Sequence, residues 1–257
     1  MPASANPMPV RTVPTQSRDP IPLATSVTIV CSPRPRVGRT LVARLLTDFF
    51  LVNGRSVAAF DLNADAELTQ YLPGHATVAE VGDIKGQMAL FDRLITADGT
   101  SKVVDLGPGA FEAFFAVARK IDFVGEASRR SIAPVILFMI APDKSSVDAY
   151  ATLRRNFAQA TLVPVHNEVA GRAQHRDKFP SVGAASVPLH IPALAPGLKK
   201  YIDKRPFSFA DSSTASLLDV PLDIHMELQR WMRRVFVEFR ELELRIMLAN
   251  LQNSLQN

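Results

Sequence analysis

The strongest structural signal in the chain begins with Ser26-Val-Thr-Ile-Val-Cys31 and continues through the loop Ser32-Pro-Arg-Pro-Arg-Val-Gly-Arg-Thr40. The first run is rich in β-branched residues and is followed by turn formers, which predicts a buried strand. From Thr40 onward, apolar residues recur at helical spacing until Asn53-Gly54 supplies a stop signal. Together these residues predict a strand, a loop and a helix.

The alternation of strand and helix patterns continues along the chain. Further strand patterns lie at residues 56–61, 102–105, 134–140, 161–165 and 185–189, and helical patterns lie at residues 64–72, 112–121 and 143–159. Strands separated by helices predict an α/β fold with a doubly wound, mostly parallel sheet. Ligands of such sheets bind at the carboxyl ends of the strands, where Asp61, Asp105 and the loop all lie.

The two ends of the chain differ from this central part. Residues 1–23 are rich in proline and lack the apolar segment of a secretory signal, so we expect a disordered leader there. We assign residues 24–205 to the α/β domain and residues 206–222 to a linker. Residues 223–257 predict a long amphipathic helix, because apolar residues from Leu228 onward fall at alternating steps of three and four.

Three roles are open for the C-terminal helix. Its apolar stripe can pack on the domain, pair with another chain or lie on a membrane surface. The positions between residues 227 and 245 carry five Arg and four Glu. This mixed face is unlike the strongly cationic face of interfacial helices, so binding to a membrane is not expected.

The composition is that of a globular chain without an obvious class of partner. The 257 residues are 47% hydrophobic and 21% charged, and their formal net charge of +4 gives little reason to expect nucleic acid. The single Cys31 excludes an intramolecular disulfide and any zinc or iron–sulfur site built from cysteines, and we assign it no catalytic role. The five His show no metal-binding spacing. We expect a cytoplasmic protein.

The loop before the first helix carries the residue types of an anion site. A phosphate-binding loop needs backbone N–H groups that point at a phosphate, a basic side chain and a hydroxyl for a metal ion, at a helix N-terminus whose dipole favours anions. Val37-Gly38-Arg39-Thr40 supplies a glycine, a base and a hydroxyl in that order. The alternative is a plain connection stiffened by its prolines, with its arginines in solvent.

The loop Arg34-Pro-Arg-Val-Gly-Arg-Thr40 resembles the deviant Walker A motif of the ParA/MinD family of P-loop ATPases, which reads K-G-G-x-G-K-[ST]. The resemblance implies a P-loop NTPase fold and places Arg34 at the catalytic signature lysine, which reaches the phosphate of the partner subunit. It places Arg39 at the invariant P-loop lysine and Thr40 at a magnesium ligand. The other nucleotide-binding positions that it implies are Arg36, Val37, Gly38 and Leu41.

Three further stretches resemble motifs of the same family in the same order. Phe60-Asp-Leu-Asn-Ala-Asp65 resembles the second acidic motif, D-x-D, which implies that Asp61 is the carboxylate that orients or activates the attacking water. Val103-Val-Asp-Leu-Gly-Pro-Gly109 is similar to the Walker B strand and implies a place for Asp105 in the magnesium shell. Val165-His-Asn167 lies where the family often has an Asn that reads adenine. The resemblance covers about residues 24 to 205.

The loop also departs from the family pattern at positions that matter for catalysis. Pro35 removes a backbone N–H donor, and Arg36 adds a Cβ where the backbone approaches phosphate. Arg39 replaces an ammonium point charge with a bulkier planar guanidinium, and Asn63 replaces the second acid of D-x-D. We therefore expect the nucleotide-binding fold with slow or absent hydrolysis.

Other functions remain open for the individual polar residues. Asp61 and Asp105 can each serve as a helix N-cap or as an acid at the end of a strand. Asn167 can form a turn. The cluster Arg34, Arg36, Arg39 and Arg44 is explained as well by the phosphates of a nucleotide as by those of a nucleic acid, which is not indicated otherwise.

The resemblance implies a divergent ParA/MinD-like ATP-binding protein, a nucleotide-dependent dimerisation switch in positioning or partitioning whose hydrolysis is weak or absent. It would bind ATP or ADP with Mg²⁺, form a homodimer and respond to an activating or cargo partner protein. The alternative is a non-catalytic pseudo-ATPase scaffold that binds a partner protein through its C-terminal helix.

Overall fold

The seven strands of the structure form one parallel sheet in the order β3-β2-β4-β1-β5-β6-β7. The computed structural model describes residues 25–171, 178–181, 183–214 and 221–256. The strands are β1 Ser26–Cys31, β2 Val57–Leu62, β3 Ala76–Val78, β4 Ser101–Leu106, β5 Pro134–Met139, β6 Thr161–Asn167 and β7 Leu189–Ile191. The predicted α/β class with a parallel sheet is confirmed.

The helices connect the strands and cover both faces of the sheet. They are α1 Arg39–Val52, α2 Glu67–Tyr71, α3 Ile84–Ile95, α4 Phe111–Lys120, α5 Phe123–Arg129, α6 Lys144–Asn156, α7 Pro196–Ile202, α8 Phe209–Thr214 and α9 Leu222–Gln256. The predicted strand at residues 185–189 is wrong: residues 184–186 form a 3-10 turn, in which Ser186 N–H donates to the carbonyl of Gly183, and β7 begins only at Leu189.

The core has two layers because neighbouring residues of a strand point to opposite faces of the sheet. Val30 of β1 faces the layer that contains α1 and α9, whereas Ile29 faces the layer built by α3 to α6. The sheet is therefore buried on both sides, as expected of a parallel sheet.

Helix α9 packs on the domain along most of its length. Its apolar stripe is buried in the same layer as α1 and consists of Leu228, Trp231, Val235, Phe239 and Leu242. The indole N–H of Trp231 donates to the carbonyl of Pro192 at 2.9 Å. The predicted long amphipathic helix is confirmed, and packing on the domain is the role that this stripe performs.

A second face of α9 stays exposed. It carries Leu244, Met247, Leu248 and Leu251, each more than half exposed, at the i, i+3, i+4 and i+7 spacing of one helix face. Among the described residues, no helix combines the length and the apolar character needed to cross a bilayer.

The remaining predicted segments fall partly outside the described residues. The leader at residues 1–23 lies wholly outside them, and so do residues 215–220 of the predicted linker. The described part of that linker contains α8, whose Phe209 is fully buried against Trp231.

Candidate functional site

The polar residues predicted for the site meet where the carboxyl ends of β1, β4 and β6 approach the first turn of α1. The loop from β1 to α1 passes through two residues with left-handed backbone, Arg36 at φ 60° and Gly38 at φ 83°. Gly38 is the N-cap residue of α1, and it has no side chain that could accept a hydrogen bond from the first N–H groups of the helix. The first N–H groups of α1 therefore have no partner within the helix and are oriented toward the space in front of it.

Gly38 is required at its position for two reasons. A left-handed backbone is disfavoured for residues with a Cβ. A Cβ at this position would also lie 2.1 Å from the side-chain nitrogen of Asn167. That nitrogen donates to the carbonyl of Val37 at 3.0 Å, while the side-chain oxygen of Asn167 accepts from Val169 N–H at 3.1 Å. The amide of Asn167 thus ties the loop to the end of β6.

A cleft of about 490 Å³ opens in front of α1. Its size falls within the usual range for small-molecule sites. Five of its lining residues are cationic, namely Arg36, Arg39, Arg44, Lys199 and Arg205, and two are acidic, namely Glu67 and Asp203. The predicted residues Gly38, Thr40, Leu41 and Asn167 also line it. The surplus of positive charge suits an anionic ligand.

Arg39 lines the cleft, and its side chain points inward. Arg39 is only 8% exposed. Its Nη1 donates to the carbonyl of Leu106 at 2.6 Å and to Oδ1 of Asn63 at 3.1 Å. The same nitrogen lies 3.6 Å from Oδ1 of Asp105. The guanidinium is therefore held by the end of β4 and by the residue that follows β2.

Asp105 is fully buried beside this guanidinium. Its Oδ2 accepts a hydrogen bond of 2.7 Å from the hydroxyl of Thr40 and one of 2.8 Å from the amide of Asn63. Burial raises the pKa of Asp105 from 3.8 to about 6, although the charge of Arg39 and the bond from Thr40 act in the opposite direction. Thr40 and Asp105, predicted together as metal ligands, are thus bonded directly to each other.

Asp61 is also buried, and both of its carboxylate oxygens are in use. One oxygen accepts from the backbone N–H of Asn63 at 3.0 Å and from its side-chain amide at 2.8 Å. The other accepts from the N–H of Thr69 at 3.0 Å and from its hydroxyl at 3.3 Å. Since Thr69 lies in the first turn of α2, Asp61 satisfies one of that helix's free N–H groups.

Asn63 joins the two buried carboxylates. Its amide nitrogen donates to Asp61 and to Asp105, while its oxygen accepts from Arg39. A third carboxylate at this position would offer no proton to either Asp and would add a buried negative charge. The departure of Asn63 from the D-x-D pattern therefore fits the local hydrogen bonding.

The structure separates some predicted residues from the cleft. Arg34 is half exposed and forms an ion pair of 3.2 Å with Asp143, which caps α6. Val37 contributes its carbonyl to Asn167. Arg34, Val37, Asp61 and Asp105 are not among the described residues that line the cleft, whereas the exposed Arg36 is.

Several residues of the cleft were not predicted as site residues, although Arg44 belongs to the basic cluster noted in the sequence. The guanidinium of Arg44 lies 3.5 Å from the ring centroid of Tyr71 and donates to the carbonyl of Ile202 at 2.7 Å. Burial lowers the pKa of Arg44 to about 10. Arg205 lies 4.6 Å from the same ring and pairs with Glu67 at 2.8 Å. The sequence signal for this side of the cleft is the group of basic residues in and after α7.

The comparisons with known proteins add a fold-level likeness only. No family model and no curated protein matches the chain. A solved structure described as a nucleotide-binding protein in complex with ADP, from Archaeoglobus fulgidus, aligns with a TM-score of 0.41 and 13% identity. The alignment covers 70% of this chain and 84% of that one. A match at this level carries no argument about function.

The cationic lining of the cleft suits an anion, but the carboxylates of the site do not fit a magnesium ion. Magnesium in such sites is usually held by one or two carboxylates together with phosphate oxygens. Asp61 has both oxygens occupied, and Asp105 is bonded to Thr40 and lies against the guanidinium of Arg39. Among the described residues, no group of three His, Cys, Asp or Glu side chains could hold a metal ion.

Proposed function

We propose that this protein binds ATP or ADP in the basic cleft and hydrolyses it slowly or not at all. One observation carries the proposal: a loop with two left-handed residues delivers the free N–H groups of α1 to a cleft lined by five cationic residues, at the carboxyl ends of parallel strands. Anions bind at such helix N-termini, and nucleotides bind at this edge of parallel sheets.

The proposal of weak hydrolysis rests on the buried carboxylates. A group that activates water must be within hydrogen-bond reach of that water. The two oxygens of Asp61 are occupied by Asn63 and Thr69, and Asp61 does not line the cleft. ATP bound in the cleft would therefore persist for a long time without being hydrolysed.

The finer part of the proposal follows the ParA/MinD resemblance. In it, ATP orders a homodimer across the cleft face, and Arg34 leaves Asp143 to meet the phosphate of the partner subunit. An activating or cargo protein then reads the dimer as a positioning or partition switch in the cytoplasm. The exposed position of Arg34 supports this role, since its guanidinium is held by one ion pair at the surface.

The first experiment is calorimetric titration of ATP and ADP into the wild-type protein and Arg36→Ala. Binding should weaken at least tenfold in the variant, because Arg36 faces the cleft without a protein partner of its own among the described residues. The matched control is Arg155→Ala, which removes an exposed arginine of α6 outside the cleft. Absence of heat with both nucleotides would contradict the proposal. Release of phosphate at several turnovers per minute would contradict weak hydrolysis.

The dimerisation part has its own measurement. Light scattering with ATP should report twice the mass that it reports without nucleotide, and Arg34→Ala should remain monomeric while still binding ATP. A monomeric wild type in saturating ATP would remove the switch from the proposal and leave nucleotide binding in place.

A second candidate function is a non-catalytic scaffold that binds a partner protein through α9. The exposed stripe Leu244, Met247, Leu248 and Leu251 favours it, since an apolar helix face of this kind suits a partner helix or groove. Removing α9 is a poor test, because Trp231 and Phe239 belong to the core. Leu248→Glu is the sharper variant, since it should abolish partner binding and leave the stability unchanged. If the protein is only a scaffold, the wild type should also give no heat on titration with nucleotide.

A further inference from the structure

Arg39 occupies the position beside Asp105 where a divalent cation would have to supply positive charge. Its Nη1 lies 3.6 Å from one oxygen of Asp105 and also contacts the carbonyl of Leu106 and the oxygen of Asn63. All three partners are oxygen atoms with negative or partly negative charge. The guanidinium is thus surrounded by the type of atoms that would surround a hard metal ion.

The charge of the buried group is already balanced. Asp105 and Arg39 are both buried, at 0% and 8% exposure, and form a neutral pair. A dication placed next to Asp105 would be repelled by the guanidinium, and this repulsion is strong at a buried site, where water screens it little. The other carboxylate of the site, Asp61, offers no free oxygen.

The contacts of Arg39 are all made by one nitrogen. Nη1 faces the three oxygen atoms, whereas Nε has no hydrogen-bond partner among the described residues. The hydrogen bonds of Nη1 with Leu106 and Asn63 hold the guanidinium against the end of β4 and the residue that follows β2. The positive charge beside Asp105 is therefore supplied by the protein itself.

On the basis of the proposed function, we infer that the cleft binds nucleotide phosphate without a divalent cation, with Arg39 as a permanent positioning cation for Asp105. Binding of ATP would then be independent of magnesium, whereas the sequence resemblance implies Mg²⁺ held by Thr40 and Asp105.

The first arm of the test needs no nucleotide. Mn²⁺, a paramagnetic substitute for Mg²⁺, is titrated into the wild type and Arg39→Met, and its binding is followed by electron paramagnetic resonance. The wild type should bind Mn²⁺ only weakly, and Arg39→Met should bind it at least tenfold more tightly, because Asp105 loses its counter-charge. Arg155→Met is the control, since it removes an exposed arginine that does not line the cleft and should leave Mn²⁺ binding unchanged. Equal Mn²⁺ affinity in wild type and Arg39→Met would overturn the inference.

The second arm compares ATP affinity of the wild type in Mg²⁺ and in EDTA. The two dissociation constants should agree within twofold, and a tenfold loss in EDTA would overturn the inference. If ATP binds in neither buffer, the proposed function fails, while the Mn²⁺ titration still decides the role of Arg39. If Arg39→Met does not fold, Arg39→Gln replaces it: the neutral amide removes the counter-charge of Asp105, so Mn²⁺ binding should rise there too, and unchanged Mn²⁺ binding would count against the inference.

Discussion

The carboxylate of Asp48, in the middle of α1, accepts a hydrogen bond of 2.6 Å from the backbone N–H of Phe209. Its other oxygen accepts from the hydroxyl of Ser208 at 2.8 Å. Ser208 precedes α8 and Phe209 is its first residue. A side chain of α1 therefore accepts hydrogen bonds from the N-terminal end of a helix far along the chain. This contact fixes α8 against α1, next to the cleft residue Arg44.

Asp48→Ala should lower the free energy of unfolding by about 2–3 kcal/mol, because a buried N–H and a buried hydroxyl lose a charged acceptor. Urea denaturation followed by circular dichroism measures the change. Asp92→Ala, at an exposed position of α3, is the control and should change the stability by less than about 0.5 kcal/mol. Equal effects in the two variants would show that the contact does not stabilise the fold.

The stability should also depend on pH through Asp48. Burial raises its pKa from 3.8 to about 6, against the effects of the bonds from Phe209 and Ser208 and the charge of Arg44. The folded protein therefore holds this proton more tightly than the unfolded chain, and stability falls as pH rises through the interval from 3.8 to about 6.

Comparison with Asp48→Asn isolates this contribution. Between pH 4.5 and 7.0 the wild type should lose about 2 kcal/mol more than Asp48→Asn, which has no proton to release at this site. Urea denaturation at the two pH values measures the difference. The buried Asp105 contributes in the same direction in both proteins and cancels in the comparison. Parallel pH profiles would contradict the prediction.

Gly38→Ala should destabilise the protein by about 2 kcal/mol, from the left-handed backbone and from displacement of the Asn167 amide. Thermal denaturation measures it against two controls. Gly54→Ala, also left-handed but with open space around it, should lose about 1 kcal/mol. Gly74→Ala, which has open space around it and no positive φ, should leave the stability unchanged. A loss in Gly38→Ala no larger than in Gly54→Ala would mean that Asn167 adapts without cost.

The two apolar faces of α9 should respond differently to truncation of a side chain. Phe239→Ala should cost about 3–5 kcal/mol, because the ring is buried against Phe49 with their centroids 5.5 Å apart. Leu248→Ala, on the exposed stripe, should cost less than about 0.5 kcal/mol. Chemical denaturation of both variants checks the pair, and similar losses would mean that the stripe is covered in solution.

The periodicity of the sequence predicted the elements that carry long, regular patterns. The strand at Ser26–Cys31, the helix that follows it and α9 were all expected from apolar spacing. The strand β3 has three residues, too few for an alternating pattern to stand out. Helix α7 follows a proline-rich segment and contains a glycine. Both residue types favour turns, so the local sequence does not predict a helix there.

Local sequence predicts which residues lie at the start of α1, but not the distant contacts that they make. The order of Gly38, Arg39 and Thr40 is local, and from it an anion site at the start of α1 is a prediction. The inward direction of Arg39 depends on Leu106 and Asn63, and the walls of the cleft depend on α7 packing beside α1. Spacing along one segment contains no information about such partners.

Trp231 is the single tryptophan of the sequence, so any indole fluorescence of the protein comes from one known place. Its ring lies 6.1 Å from that of Phe209, whose N–H is bonded to Asp48, and its N–H is bonded to Pro192, ahead of the cleft helix α7. The emission maximum should therefore respond when the segment from α7 to α8 moves, without any added label. The chain carries its own optical probe beside the cleft, and a titration can be followed in the unmodified protein.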